Sequence, residues 1–230
     1  GEEVATGTDP LQFQVDGETA VAQAPPATDD HSAHTPPVPA ATLSPPITLD
    51  PASNEGTVEI PLSDEQSGWL TGDGEVTIGR GEWPQAGDLV NGTAVRALLT
   101  FSLQNIPSEL TTRPASWEGT TIRTAFLRFS SDYKLESTPF DALGCLQVDF
   151  VEIDLPVDAA AYDTPGFFIA CEQAPPSSVD VTFDVEDALI QGQNQLNLRL
   201  AFETESNGDA VADLYVIRTA PTLEITYLLP

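Results

Sequence analysis

The sequence predicts an all-β protein: an antiparallel β-sandwich or jelly roll of about nine strands, preceded by an extended, proline-rich N-terminal arm. Apolar residues alternate with polar ones in short runs, as half-buried strands require. The 230 residues include 20 prolines and 16 glycines, a composition typical of many short strands joined by turns. The length is sufficient for one substantial hydrophobic core.

The strand signals follow one another through most of the chain. Residues 95–103 are the clearest example, because every odd-numbered position in that run is apolar. We assign residues 186–191 to a single helical turn. The alternating runs are residues 58–60, 76–78, 95–103, 122–129, 146–150, 167–170, 179–185, 196–202, 214–216 and 223–227. Two sheets that close their apolar faces together would bury these residues.

Residues 1–52 differ in composition from the rest, so we divide the chain into an N-terminal arm (1–52) and a sandwich domain (53–230). Between residues 21 and 51 the arm has eight prolines, interleaved with alanine and threonine. Each proline fixes φ and lacks a backbone donor, which excludes a helix or a central strand. The segment therefore predicts a polyproline-II spacer.

One short strand signal, at about residues 10–16, lies ahead of the spacer. Leu11, Phe13 and Val15 are apolar and alternate with two glutamines. A lone strand leaves its backbone groups and its apolar face without partners. It must therefore pack on its own sandwich or on a neighbouring copy, and the sequence leaves both open. A spacer of roughly thirty residues reaches about 90 Å, far enough for either.

The charge of the chain limits its partners. The formal net charge is −28, from 36 acidic and 8 basic residues. Such a surface repels nucleic acids and anionic membranes, so we expect no nucleic-acid partner. No apolar run approaches the length of a membrane span, so we expect no membrane insertion. The chain starts at Gly1 without a signal-peptide pattern, and we expect a mature protein that is extracellular or attached to the cell surface.

The two cysteines predict one disulfide. Cys145 and Cys171 lie on strand signals that flank a loop, and the midpoint of their numbers falls within that loop. They could therefore face each other across an antiparallel hairpin. A bond that closes this loop would add roughly 3 kcal/mol and would indicate an oxidising compartment. A free buried pair or half of a metal site is the alternative, although no histidine lies nearby.

Catalytic motifs are missing from the sequence. It contains no nucleophile elbow, zinc-protease motif, phosphate loop or dinucleotide fingerprint. The two histidines, His31 and His34, both lie in the arm, so the sandwich has no histidine base. With nearby carboxylates they could ligate a transition metal, or they are part of a solvated linker. We therefore predict that the protein is not an enzyme, although paired carboxylates could support glycoside chemistry.

No motif requires a cofactor, but one acidic loop favours calcium. Its oxygen-bearing side chains surround Gly208 between two strands, and Ca²⁺ prefers such ligands. The alternative is a polar hairpin tip that its charge keeps soluble. The candidate ligands are Glu203, Glu205, Asn207, Asp209 and Asp213. A second acidic group comprises Asp149, Glu152 and Asp154.

Aromatic residues in predicted loops are candidates for stacking on sugar rings. Trp83 and Trp117 lie where binding platforms are usually found, with Trp69, Tyr133 and Tyr162 as further aromatic residues. Loop tryptophans also cap the open ends of sandwiches, and the sequence does not separate these roles. Residues 91–93 form a glycosylation sequon at Asn91, or a chance tripeptide.

The order of the strand motifs resembles the DNRLRE family of secreted bacterial and archaeal β-sandwich domains over about residues 74–228. The motifs are GEVTIG (74–79), ALLTFSL (97–103), IP (106–107), IRTAFLRF (122–129), VDVT (179–182), LRL (198–200) and PTLEITY (221–227). The resemblance implies a jelly-roll domain on secreted or surface proteins, often beside polysaccharide-active enzymes. It implies no catalysis and no functional residues to transfer.

These patterns lead to two hypotheses of function. The first is a structural subunit of an extracellular filament or surface assembly, whose N-terminal strand completes a sheet of the next copy. The second is a carbohydrate-binding or adhesin module on a stalk. The partners would be copies of the same chain in the first case and a polysaccharide in the second.

Overall fold

The computed structural model describes residues 54–79, 81–104 and 117–229. The predicted arm, with its strand and its histidines, lies outside these ranges. The described strands are β1 (Glu55–Pro61), β2 (Gly68–Thr71), β3 (Val76–Ile78), β4 (Gln85–Asp88), β5 (Ala94–Ser102), β6 (Thr121–Arg128), β7 (Tyr133–Glu136), β8 (Leu146–Val151), β9 (Gly166–Glu172), β10 (Ser178–Asp180), β11 (Gln195–Phe202), β12 (Asp213–Ile217) and β13 (Thr222–Leu228). The helices are α1 (Pro139–Ala142), α2 (Thr182–Ile190) and a 3-10 turn (Ala159–Tyr162).

The strands form two antiparallel sheets, which confirms the predicted all-β sandwich. The smaller sheet has the strand order β1-β13-β6-β10. The larger sheet runs β7-β12-β4-β5-β11-β8-β9, and β2 pairs with both β5 and β3. The main core lies between them and includes Leu99 and Phe101 of the large sheet with Leu127 and Ile225 of the small one, all fully buried.

The large sheet is also covered on much of its other face, contrary to the expectation that each strand has one wet face. Leu98, which points away from the main core, packs in a second cluster with Leu70 and Tyr162. A third cluster forms around Val95 and Leu214. Short strands and the loop before β9 supply this cover, so β5 and β11 are buried on both faces.

Thirteen strands are described, rather than about nine. The strands without a sequence signal are β2, β4 and β7, each only four residues long. Four residues give at most two apolar positions on one face, too few to establish a period of two. These segments become strands because long neighbours pair with them: β2 with β5, and both β4 and β7 with β12.

The strand predicted at residues 179–185 is wrong beyond Asp180. The Asp180 carboxylate accepts hydrogen bonds from the backbone N–H (3.0 Å) and the hydroxyl (2.6 Å) of Thr182, and α2 begins there. Val181, Val185 and Ala188 are buried at helical spacing, whereas Phe183 is exposed. The helical turn predicted at 186–191 is the second half of this helix.

Among the described residues, no helix is long and apolar enough to cross a membrane.

Candidate functional site

The predicted disulfide is present and fixes one end of an edge strand. Cys145 directly precedes β8, Cys171 lies in β9, and their Cα atoms are 5.4 Å apart. β8 and β9 pair antiparallel, with Gln147 opposite Cys171. The hairpin expected from the numbering is therefore confirmed, and the C-terminal part of β9 is covalently tied to the large sheet.

A buried ion pair fixes the other end of β9. Arg199 of β11 donates through Nη2 to Asp149 Oδ2 (2.8 Å) and through Nη1 to the carbonyl of Thr164 (2.7 Å). Gly166 starts β9 beside this pair, and a Cβ there would lie 2.8 Å from Arg199 Nη2. The position therefore requires glycine for close packing. Asp149, from the second predicted acidic group, is thus committed to an arginine.

The middle of β9 is an open edge with exposed aromatic side chains. β9 pairs with β8 on one side, and no other described strand pairs with it. Phe167 and Phe168 are each 64 % exposed. A bulge at Ile169 gives β9 one residue more than β8, because Val148 pairs with Ala170 and Asp149 with Phe168.

The bulge aligns two successive side chains along a groove between the edges of the two sheets. We call it the β9–α2 groove; it measures about 440 Å³, and its lining residues are Phe168, Ile169, Asp180, Thr182, Phe183, Asp184 and Glu186. Phe183 of α2 is 76 % exposed. Phe168 of the edge strand β9 and Phe183 of α2 thus present aromatic surface to the same space.

The helix side of the groove is acidic. Burial raises the pKa of the Asp184 carboxyl, and the nearby charges of Asp187 and Asp180 raise it further, against a backbone hydrogen bond that lowers it. Carboxylates at such a rim repel another carboxylate. The groove therefore offers apolar surface and disfavours an acidic occupant.

Trp83 is the more exposed of the two candidate sugar platforms. It lies in the loop before β4 and is 52 % exposed. The guanidinium carbon of Arg218 lies 5.6 Å from its ring centroid, within the range of a cation–π contact. Of the six lysine and arginine side chains that the structure describes, the other five form ion pairs with carboxylates. Arg218 is therefore a positive group beside an open aromatic face.

Trp117 caps the core instead. Its Nε1 donates to the carbonyl of Leu103 (3.0 Å), and its ring meets Tyr227 edge-to-face at 5.6 Å. It also lines an open cavity of about 780 Å³ together with Ile122 and Leu189. This geometry favours the capping role that the sequence left open for Trp117.

The acidic loop at residues 203–213 is held by its own hydrogen bonds. Glu205 pairs with Arg96 at 2.6 Å. Asn207 Nδ2 donates to Asp209 Oδ2 (3.2 Å) and to Asp213 Oδ2 (2.9 Å). No group of three or more His, Cys, Asp or Glu side chains in the described ranges is arranged to hold a metal ion. Calcium at Glu203 and its neighbours stays a prediction.

The remaining candidates are distributed as follows. Leu11, Phe13, Val15 and both histidines lie outside the described residues. Asn91 is exposed in a turn, where its side-chain oxygen accepts the backbone N–H of Thr93 at 3.0 Å, and its glycosylation stays a prediction.

The groove residues were not singled out from the sequence. The doubled phenylalanine at 167–168 was the available signal. Two adjacent bulky apolar residues in a strand break the alternation, which indicates a bulge or an aromatic residue on the open face. Phe183 carries no signal of its own, because the alternation at residues 179–185 places it on the apolar face of a predicted strand.

No protein-family model matches the chain, and no curated protein is significantly similar to it in sequence. The resemblance to DNRLRE domains stays a prediction.

Proposed function

We propose that the protein is a non-catalytic extracellular structural subunit, joined to the next copy by donation of its N-terminal strand. Repeated head-to-tail donation would give a filament or surface assembly rather than a closed dimer. The observation that carries the proposal is the open aromatic edge of β9. It supplies an acceptor for the apolar strand that the sequence places on a long tether.

The chemistry of the sandwich agrees with a structural role. Its described basic side chains are engaged in ion pairs or, for Arg218, in contact with Trp83. The residues that anchor β9 are Asp149, Arg199 and the two cysteines. These groups stiffen the acceptor edge, and a stiff edge loses less entropy when another strand is added.

The test compares the assembly of three full-length proteins. In the first variant Leu11, Phe13 and Val15 are replaced by serine. In the matched control the alternate residues Gln12 and Gln14 are replaced by serine instead. We expect negative-stain microscopy and sedimentation to show polymers for the wild type and the control, and monomers for the first variant. Assembly of the first variant at the wild-type concentration would refute strand donation.

A carbohydrate-binding module is the second candidate, because Trp83 is exposed and flanked by Arg218. Pyranose rings stack on tryptophan faces, and a guanidinium donates to sugar hydroxyls. We would measure glycan-array binding for the wild type, Trp83→Ala and the ring-retaining control Trp83→Phe, and tryptophan quenching for the wild type. Binding that Trp83→Ala abolishes and Trp83→Phe retains would support this function. Failure of the wild type to bind any glycan would count against it.

A further inference from the structure

The open edges of this sandwich are not equally protected against pairing with another strand. Natural sheets protect their edges with charge, proline or short length. Among the described strands, β1 ends in Pro61 and carries Glu55 and Glu59. β7 has four residues, two of which form the Lys134–Glu136 ion pair. β3 and β10 have only three residues each.

β9 has neither charge, proline nor short length along most of its course, and the bulge at Ile169 is its one protection. It has seven residues, no proline and only one charged side chain, Glu172, at its end. Its bulge is the single interruption, and this places Phe168 and Ile169 along the β9–α2 groove. Exposed, long and apolar edges are templates for the addition of a strand.

The groove also selects the composition of its occupant. Phe168 and Phe183 offer apolar surface, whereas Asp180, Asp184 and Glu186 form an acidic rim. In a chain with 36 acidic residues most segments would bring a like charge to this rim. Residues 10–15, with the sequence PLQFQV, bring none. Their three apolar side chains fall on one face of a strand, and Phe13 is central.

The length of the chain outside the described residues allows this segment to reach another molecule. Thirty-eight residues separate Val15 from Asn54, and in polyproline-II conformation they would reach about 120 Å. A compact domain of this size is about 40 Å across. Proline-rich spacers are stiff over several residues, which favours delivery to a neighbour over a tight return.

We propose that the acceptor is the β9–α2 groove of a second copy, in which residues 11–15 pair with β9 and Phe13 lies between Phe168 and Phe183. This inference rests on the proposed function, because it names the acceptor of the donated strand. It differs in what it requires: strand donation needs only an open edge, whereas this assignment requires the two phenylalanines of the groove.

The experiment measures the binding of a labelled peptide to the full chain. The peptide comprises residues 10–15 with both ends blocked, so that it carries no charge, and the receptor is the full-length protein with Leu11, Phe13 and Val15 replaced by serine. We expect saturable binding by fluorescence anisotropy. Phe168→Ser/Phe183→Ser in this receptor should weaken binding at least about tenfold, as removal of central aromatic anchors does.

Two further variants distinguish loss of the groove contacts from misfolding of the receptor. Phe183→Asp changes one exposed helix position and adds a charge to the groove, so it should also abolish binding without unfolding the protein. Ile190→Ser is the matched control: it is 84 % exposed on the same helix but does not line the groove, so binding should be unchanged.

The outcomes separate the inference from the proposed function. If Phe183→Asp binds the peptide like its parent, the groove is not the acceptor, although loss of polymers in the arm variant would still support strand donation. Absence of peptide binding to the parent would also overturn the inference. If the wild-type chain stays monomeric at every concentration and does not bind the peptide, its own arm occupies the groove. That result would overturn donation of the strand to a second copy.

Discussion

Reduction of the Cys145–Cys171 bond should destabilise the sandwich by an amount that the closed loop determines. The cysteines are 26 residues apart in sequence. In the chain-entropy model a cross-link of this span reduces the entropy of the unfolded chain enough to contribute about 3.5 kcal/mol at 25 °C. Because reduction removes no side chain, the comparison isolates the cross-link from loss of packing around buried Cys145.

The assay is urea unfolding of the oxidised and reduced protein, followed by tryptophan fluorescence and far-UV circular dichroism. With a slope of about 2 kcal/mol per molar urea, the midpoint should fall by about 1.7 M on reduction. The Cys145→Ala/Cys171→Ala variant serves as the control and should unfold at one midpoint with or without reductant.

A fall of less than about 0.5 M, equivalent to about 1 kcal/mol, would refute the reasoning. It would mean that the unfolded chain already holds these segments together, so that the bond restricts little. Equal midpoints for the reduced wild type and the alanine variant would show that the sulfur atoms contribute little packing of their own.

Further substitutions test the contacts that shape the sandwich. Asp149→Ala leaves the buried guanidinium of Arg199 without its carboxylate and should lower the free energy of unfolding, measured with urea, by about 3–5 kcal/mol. Asp149→Leu combined with Arg199→Met should recover most of the lost stability. Gly87→Ala would place a Cβ 1.8 Å from a carbonyl oxygen of β12 at φ +139° and should abolish soluble expression. Gly192→Ala, at φ +70° with open space around it, should cost only about 1–2 kcal/mol by the same unfolding assay. Tyr215→Phe removes a buried hydroxyl with no hydrogen-bond partner among the described residues. The free energy of unfolding, measured by thermal unfolding, should therefore stay the same or rise by up to about 1 kcal/mol. A decrease of more than about 1 kcal/mol would reveal a partner for the hydroxyl.

The sequence was sufficient to predict a strand where the segment is long and its apolar residues alternate regularly. The alternation at residues 95–103 corresponds to β5, and that at 196–202 corresponds to β11, because in both strands one set of alternate side chains faces the main core. The cysteine spacing predicted the β8–β9 hairpin for a local reason, since the two strands are joined by a single loop.

The sequence failed where tertiary contacts or local side-chain hydrogen bonds decide the structure. Val181 and Val185 are compatible with both periods, and the hydrogen bonds from Thr182 to Asp180 favour the helix. The groove was missed for a related reason. It exists because this helix places Phe183 opposite a bulged edge strand, and the doubled phenylalanine at 167–168 is the sign of that edge in the sequence.

The two anchors of β9 have a mechanical consequence. An edge strand held only by backbone hydrogen bonds can be peeled away one bond at a time when it is pulled at one end. Here the disulfide at Cys171 and the hydrogen bond from Arg199 to the Thr164 carbonyl, just before Gly166, join both ends to the interior of the large sheet. A force applied to one end of β9 would therefore act in shear on β8 and β11 at the same time. Many inter-strand hydrogen bonds would then have to break together.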